Sequence, residues 1–100
     1  MIELSNEFAL SGDAIGLDDA DRVRLQGLGL IDARQVGEED AIVVDLARVE
    51  SANTITVAVL AAWHRHARLS GKSIVFVNLS NELRNIIAFS GLTDILLSEA

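Results

Sequence analysis

The chain has no cysteine among its 100 residues, which excludes a disulfide scaffold and a thiolate metal site. A cysteine-free chain also fits a reducing compartment. Proline is absent too, and no Ser/Gly tract or repeat at a period of 20–50 residues marks a linker or an array. Basic side chains are few: eight Lys and Arg stand against fifteen Asp and Glu, for a net charge of −7. That balance argues against nucleic acid, whose phosphates need a basic surface, and against a peripheral anchor on anionic lipid. No apolar run reaches the roughly 18 residues of a membrane span. Met1 does not open a signal peptide, so a cytoplasmic location is the expectation.

What the chain does have is apolar mass. Half of its residues are hydrophobic. A chain of this length buries roughly 60–70% of its unfolded surface, so residues 1–100 read as a single domain that folds without staples. Charge is uneven along it. Residues 1–50 hold four basic and twelve acidic side chains, whereas residues 51–100 hold four and three. The second half is thus nearly neutral and apolar, suited to burial or to a partner.

Ile2, Leu4, Phe8 and Leu10 alternate with polar neighbours around Ser5-Asn6-Glu7, which predicts a hairpin ended by Ser11-Gly12-Asp13. Residues 18–35 read as a helix with Asp18, Asp19 and Asp21 near its start, where the dipole favours anions. Gly27 and Gly29 each weaken it by about 1 kcal/mol against Ala. Either its register is loose or its backbone packs closely there. Gly37-Glu38-Glu39-Asp40 reads as a solvated turn. Ala41 to Leu46 is a β-branched run, the pattern of a central strand covered on both faces. Residues 54–70 read as a second long helix, opened by Asn53 or Thr54 as N-cap and closed by Gly71. Ser73 to Val77 predicts another strand, and Ser80 caps a third helix that stops before Gly91. Ile95-Leu96-Leu97 is expected to be a last short strand. The order β-β-α-β-α-β-α, with or without a final β, predicts an α/β layer with a mixed sheet of about four to five strands.

Catalytic motifs are missing. There is no phosphate-binding Gly-rich loop, no G-x-S-x-G elbow and no ligand set for zinc. His64 and His66 lie two apart on one helix and point in different directions. With Arg65, Arg68 and Lys72 they collect at a helix C-terminus, where positive charge is favourable. No cofactor, no metal and no enzymatic activity are expected.

The informative stretch is Asn53 to Trp63. At about 100° per residue, Val57, Leu60 and Ala61 fall on one face, and Ile55, Ala58, Val59, Ala62 and Trp63 on the other. The first half of this helix is apolar nearly all round. Two readings stand. Neighbouring elements cover both sides, or an apolar ridge is left for a partner with Trp63 as its anchor. Thr54 and Thr56 sit where the ridge begins. A hydroxyl there is either a cap or a regulatory contact, since a phosphate on Thr54 would face the positive end of the helix dipole.

Ile42 to Val49, followed by Asn53-Thr54 opening a long apolar helix, resembles the STAS domain family. So do Gly71 to Val77 and the stretch Ser80 to Leu92 with its Ser90-Gly91-Leu92 turn. In that family an Asp-Ser/Thr pair, a small residue and glycine open the partner-binding helix. Here Asn53 takes the aspartate position, Thr54 keeps the hydroxyl, and Ile55 and Thr56 replace the small residue and glycine. Length and the hairpin leading into Ala9-Leu10-Ser11-Gly12 are similar to the stand-alone STAS subunit of the Mla-type phospholipid ABC transporter. This resemblance implies a cytoplasmic, non-enzymatic subunit that binds the transporter's ATPase and meets the membrane only through it. It would support the maintenance of outer-membrane lipid asymmetry. The partner-binding or regulatory residues implied are Asn53, Thr54, Ile55, Thr56, Val59 and Trp63. The alternative is an anti-sigma-factor antagonist that binds a kinase-type anti-sigma factor and is switched at Thr54. The apolar ridge could also pair two copies as a homodimer.

Overall fold

The computed structural model describes residues 2–35 and 40–97. The chain runs β1 (Glu3–Leu4), β2 (Ala9–Gly12), α1 (Leu17–Ala33), β3 (Ala41–Val49), α2 (Thr54–Leu69), β4 (Ser73–Val77), α3 (Asn81–Phe89) and α4 (Thr93–Leu96). One four-stranded sheet has the order β1-β2-β3-β4. β1 pairs antiparallel with β2, while β2–β3 and β3–β4 are parallel. The mixed sheet expected from the element order is therefore present, with four strands. The expected turn at Gly37-Glu38-Glu39 lies outside the described residues.

Three expectations are corrected. First, β3 is not covered on both faces. Ile42, Val44 and Leu46 are buried, whereas Val43 between them is 47% exposed and Ala47 is exposed. Its neighbours in register, Ala9, Val75 and Val77, are only half-buried. Strand side chains alternate between faces, so the helices cover one face and leave the other open. A β-branched run carries no mark that separates these two cases. Second, Ile95-Leu96-Leu97 is not a strand. Its first two residues belong to α4, where Leu96 enters the core and Ile95 stays 44% exposed. So short an apolar run has no period of its own, and its contacts with α2 and α3 decide it. Third, the first long helix runs 17–33 rather than 18–35.

The two glycines of α1 differ in kind. Gly27 is buried, and a Cβ built on it would overlap the indole ring of Trp63 on α2. Gly29 has open space where its Cβ would stand. The close-packing alternative is thus realised at Gly27, where α1 and α2 cross. Trp63 fills that crossing, fully buried. Its indole Nε1 donates to the Arg24 carbonyl at 3.0 Å, and its ring meets Phe8 edge-on at 5.2 Å. A buried tryptophan needs such a partner for its N–H.

Helix ends follow local chemistry. Gly71 and Gly91 take φ of +73°, the left-handed region glycine enters without strain. The next N–H in each case closes the helix, Lys72 N to Ala67 O at 2.8 Å and Leu92 N to Ile87 O at 3.1 Å. Ser80 caps α3 by accepting from the Leu83 N–H at 3.1 Å.

Candidate site at the start of helix α2

In a parallel sheet the loops leaving the C-terminal strand ends gather on one edge, where binding sites form. Here those loops follow β2, β3 and β4. Asn53, the last residue before α2, ties two of them to the helix. Its Oδ1 accepts from the Thr56 N–H at 2.8 Å, and its Nδ2 donates to the Ile15 carbonyl at 2.9 Å. The same Oδ1 accepts the Thr56 hydroxyl at 2.9 Å. Ser51 Oγ accepts from the Ala14 N–H at 3.1 Å, and Glu82 Oε1 accepts from the Ala52 N–H at 2.8 Å. The segment before α2 is thus fixed on both sides by bonds that span 30 to 38 residues of sequence. Ser51 and Glu82 carry no signal of this in the sequence, because their partners are remote.

Of the two candidates for the N-cap, Asn53 is the cap. Thr54 is the first helical residue and is itself exposed to solvent. The hydroxyl position is therefore accessible. Ile55 is half-buried beside it.

The ridge itself is corrected. Thr56, Val59 and Trp63 are 0%, 3% and 0% exposed, and Val57 and Leu60 are buried with them. The large apolar residues on both sides of α2 face this chain's own core. Trp63 is a packing residue between α1 and α2, not an anchor for a partner. Thr56 is the second half of the cap, its hydroxyl spent on Asn53. What α2 leaves outward is Thr54, then Ala58, exposed one turn later, and the half-covered Ala61 and Ala62. The outer face of the first three turns is therefore made mostly of small side chains, with half-buried Ile55 at its border. A surface of that shape lets another protein's backbone come close and offers little area of its own.

Beside this edge, Asp45 on β3 accepts from Asn78 Nδ2 at 3.0 Å and from the Ala47 N–H at 2.9 Å. The Asn78 hydrogen bond first, then the Ala47 N–H, hold its carboxyl below the usual aspartate range, with the Arg48 charge adding to them. Asn78 takes a left-handed φ of +61° to do so, a conformation asparagine tolerates. This pair joins β3 to the loop after β4 on the open side of the sheet.

Among the described residues, nothing at this edge forms a catalytic constellation. Among the described residues there is no cluster of three or more His, Asp or Glu side chains that could hold a metal ion. Also among them, no helix is long and apolar enough to cross a membrane. The two histidines diverge as their spacing requires. His66 Nε2 meets Asp32 Oδ1 at 2.7 Å, and His64 lines a cleft further along α2. What the edge can do is present a rigid, threonine-tipped surface.

Comparison with known proteins gives a consistent picture. The family model described as "Mlab, STAS domain" matches residues 7–98. No curated protein matches the sequence. Among solved structures, that of the anti-sigma factor antagonist SpoIIAA in its unphosphorylated form is similar, with a TM-score of 0.64 at 14% identity. The alignment covers 100% of this chain and 87% of that one. At that identity the likeness speaks for the fold.

Proposed function

This chain belongs to the STAS domain family, and on that premise we propose that it is a non-enzymatic subunit which binds the ATPase of a phospholipid ABC transporter. The docking edge is the start of α2, with Thr54 at its tip and Asn53 and Ile55 beside it. One observation carries the reading: the matching family model is the MlaB-type STAS domain, and it spans nearly the whole chain. The exposed hydroxyl position on a braced helix N-terminus supports the same edge. Thr56, Val59 and Trp63 act behind it, holding the helix in place. In this role the subunit is cytoplasmic and reaches the inner membrane only through its partner.

The likeness to an anti-sigma factor antagonist favours a second reading. In it the partner is a kinase-type anti-sigma factor, and phosphate on Thr54 would break the contact by placing a charge in the interface. Affinity purification of the tagged chain from its own cells separates the two. Recovery of a membrane ATPase with its permease supports the first reading. Recovery of a soluble kinase, with phosphate on Thr54, supports the second and overturns the first.

A further inference from the structure

The second half of α2, from about 10 Å beyond Thr54 at 1.5 Å per residue, carries a different kind of surface. A cleft of about 530 Å³ is lined by His64, Arg68 and Lys72 together with Ile74, Val75 and Ile95. A second groove of about 430 Å³ shares His64, Arg68 and Ile95 with it and adds Arg65, Leu69 and Leu92. Leu69 is 82% exposed and Ile95 44% exposed, so the second groove has an apolar lining open to solvent, while the larger cleft beside it is mainly polar and shares Ile95.

The charge here opposes that of the whole chain. The net charge is −7, yet three of its eight Lys and Arg line these grooves, against the single carboxylate of Asp94. Lys72 is engaged, donating to the Ile31 carbonyl of α1 at 2.7 Å. Arg65 and Arg68 are exposed, and no described carboxylate pairs with either. On α1, by contrast, Arg22 and Arg24 each pair with an aspartate one turn away. Compensation of the helix dipole accounts for a cation in the last turn of α2. It does not account for Leu69 and Ile95 standing exposed in a groove with two guanidinium groups that no described carboxylate pairs with.

We infer that these joined grooves receive an acidic, amphipathic peptide segment of a partner protein, its apolar side chains against Leu69 and Ile95 and its carboxylates on Arg65 and Arg68. Charge complementarity selects the occupant, because guanidinium groups bind carboxylates in a matched fork. The adjoining polar and apolar linings favour a peptide that carries both kinds of side chain. The grooves begin at Ala61, two turns beyond Thr54, and the site stands or falls without the Thr54 tip.

Backbone amide NMR spectra of the full chain, titrated with a synthetic peptide alternating leucine and glutamate, test the inference. Shifts are expected at Arg65, Arg68, Leu69 and Ile95, with Thr54 unmoved. Arg65→Glu combined with Arg68→Glu is expected to weaken binding about tenfold or more. Leu69→Ser is expected to weaken it as well. All three side chains are exposed, and an unchanged circular dichroism spectrum verifies that the variants fold. Equal affinity for a leucine–glutamine peptide, unchanged binding by the double variant, or no shifts at millimolar peptide would each overturn the inference. Flotation with phosphatidylglycerol vesicles in the absence of peptide binding would overturn it in favour of a lipid surface.

Discussion

Replacing Gly27 with alanine adds one methyl group, and the structure assigns it an unusual cost. In an open helix this change stabilises by about 1 kcal/mol, because glycine loses more backbone entropy on folding. At Gly27 the new Cβ overlaps the Trp63 indole, which is fully buried and has no free direction in which to move. Overpacking of this kind costs about 1–3 kcal/mol. Moving the ring also loosens its hydrogen bond to Arg24 and its edge contact with Phe8. These contribute about 1 kcal/mol each. After the propensity gain is subtracted, Gly27→Ala should destabilise by about 2–4 kcal/mol. Gly29→Ala, two residues away with open space at its Cβ, should stabilise by about 0.5–1 kcal/mol. Urea unfolding followed by tryptophan emission measures both, and Trp63 is the sole fluorophore of its type. A Gly27→Ala protein as stable as the Gly29→Ala protein, with unshifted native emission, would refute the close crossing of α1 and α2.

Other perturbations have defined outcomes. Asn53→Ala removes the cap and the tie to Ile15 together, and should lower stability by about 2 kcal/mol in the same unfolding assay. Thr54→Ala touches neither, and should leave the unfolding free energy within about 0.5 kcal/mol of the parent. Trp63→Ala should cost about 3–5 kcal/mol, with partner affinity retained under conditions where the variant is folded. His64 has its pKa held below the ordinary value of 6.5, first by burial and then by the Arg68 charge. Its unfolded form therefore binds a proton more readily, so its contribution to stability is present above that value and is lost as pH falls below it. Denaturation midpoints taken across that range should show a drop on acidification that His64→Gln reduces. An equal drop in both proteins would contradict the assignment.

Much of the architecture was legible because it is written in local chemistry. Asn53 before an apolar helix, Gly71 and Gly91 after helices, and Ser80 as a cap each act within a turn of their position. The outer surface of α2 was not legible. A helix that is apolar nearly all round shows no preferred face, and the face chosen depends on where α1 lies. With α1 in place, Val59 and Trp63 turn inward, and over the first three turns Thr54, Ala58, Ala61 and Ala62 are left outward with half-buried Ile55 beside them. The open sheet face escaped for a similar reason. Val43 and Val44 are identical in sequence terms, and only the one-sided stacking of helices separates them. The bracing of the Asn53 segment depends on Ile15, Ala14 and Glu82. Contacts between residues so distant in sequence are set by topology, which periodicity does not reach. For Thr56, of the two readings of a hydroxyl at this helix start, the cap is the one realised.

The central claim, that the solvent-facing tip of α2 is where a transporter ATPase docks, is tested most directly by calorimetric titration of that ATPase with the parent chain and with Thr54→Arg. An unpaired charge desolvated in the contact costs about 2 kcal/mol or more. The account therefore predicts a loss of about thirtyfold or more in affinity, with the unfolding midpoint unchanged. Binding of Thr54→Arg at the parent's affinity would contradict it.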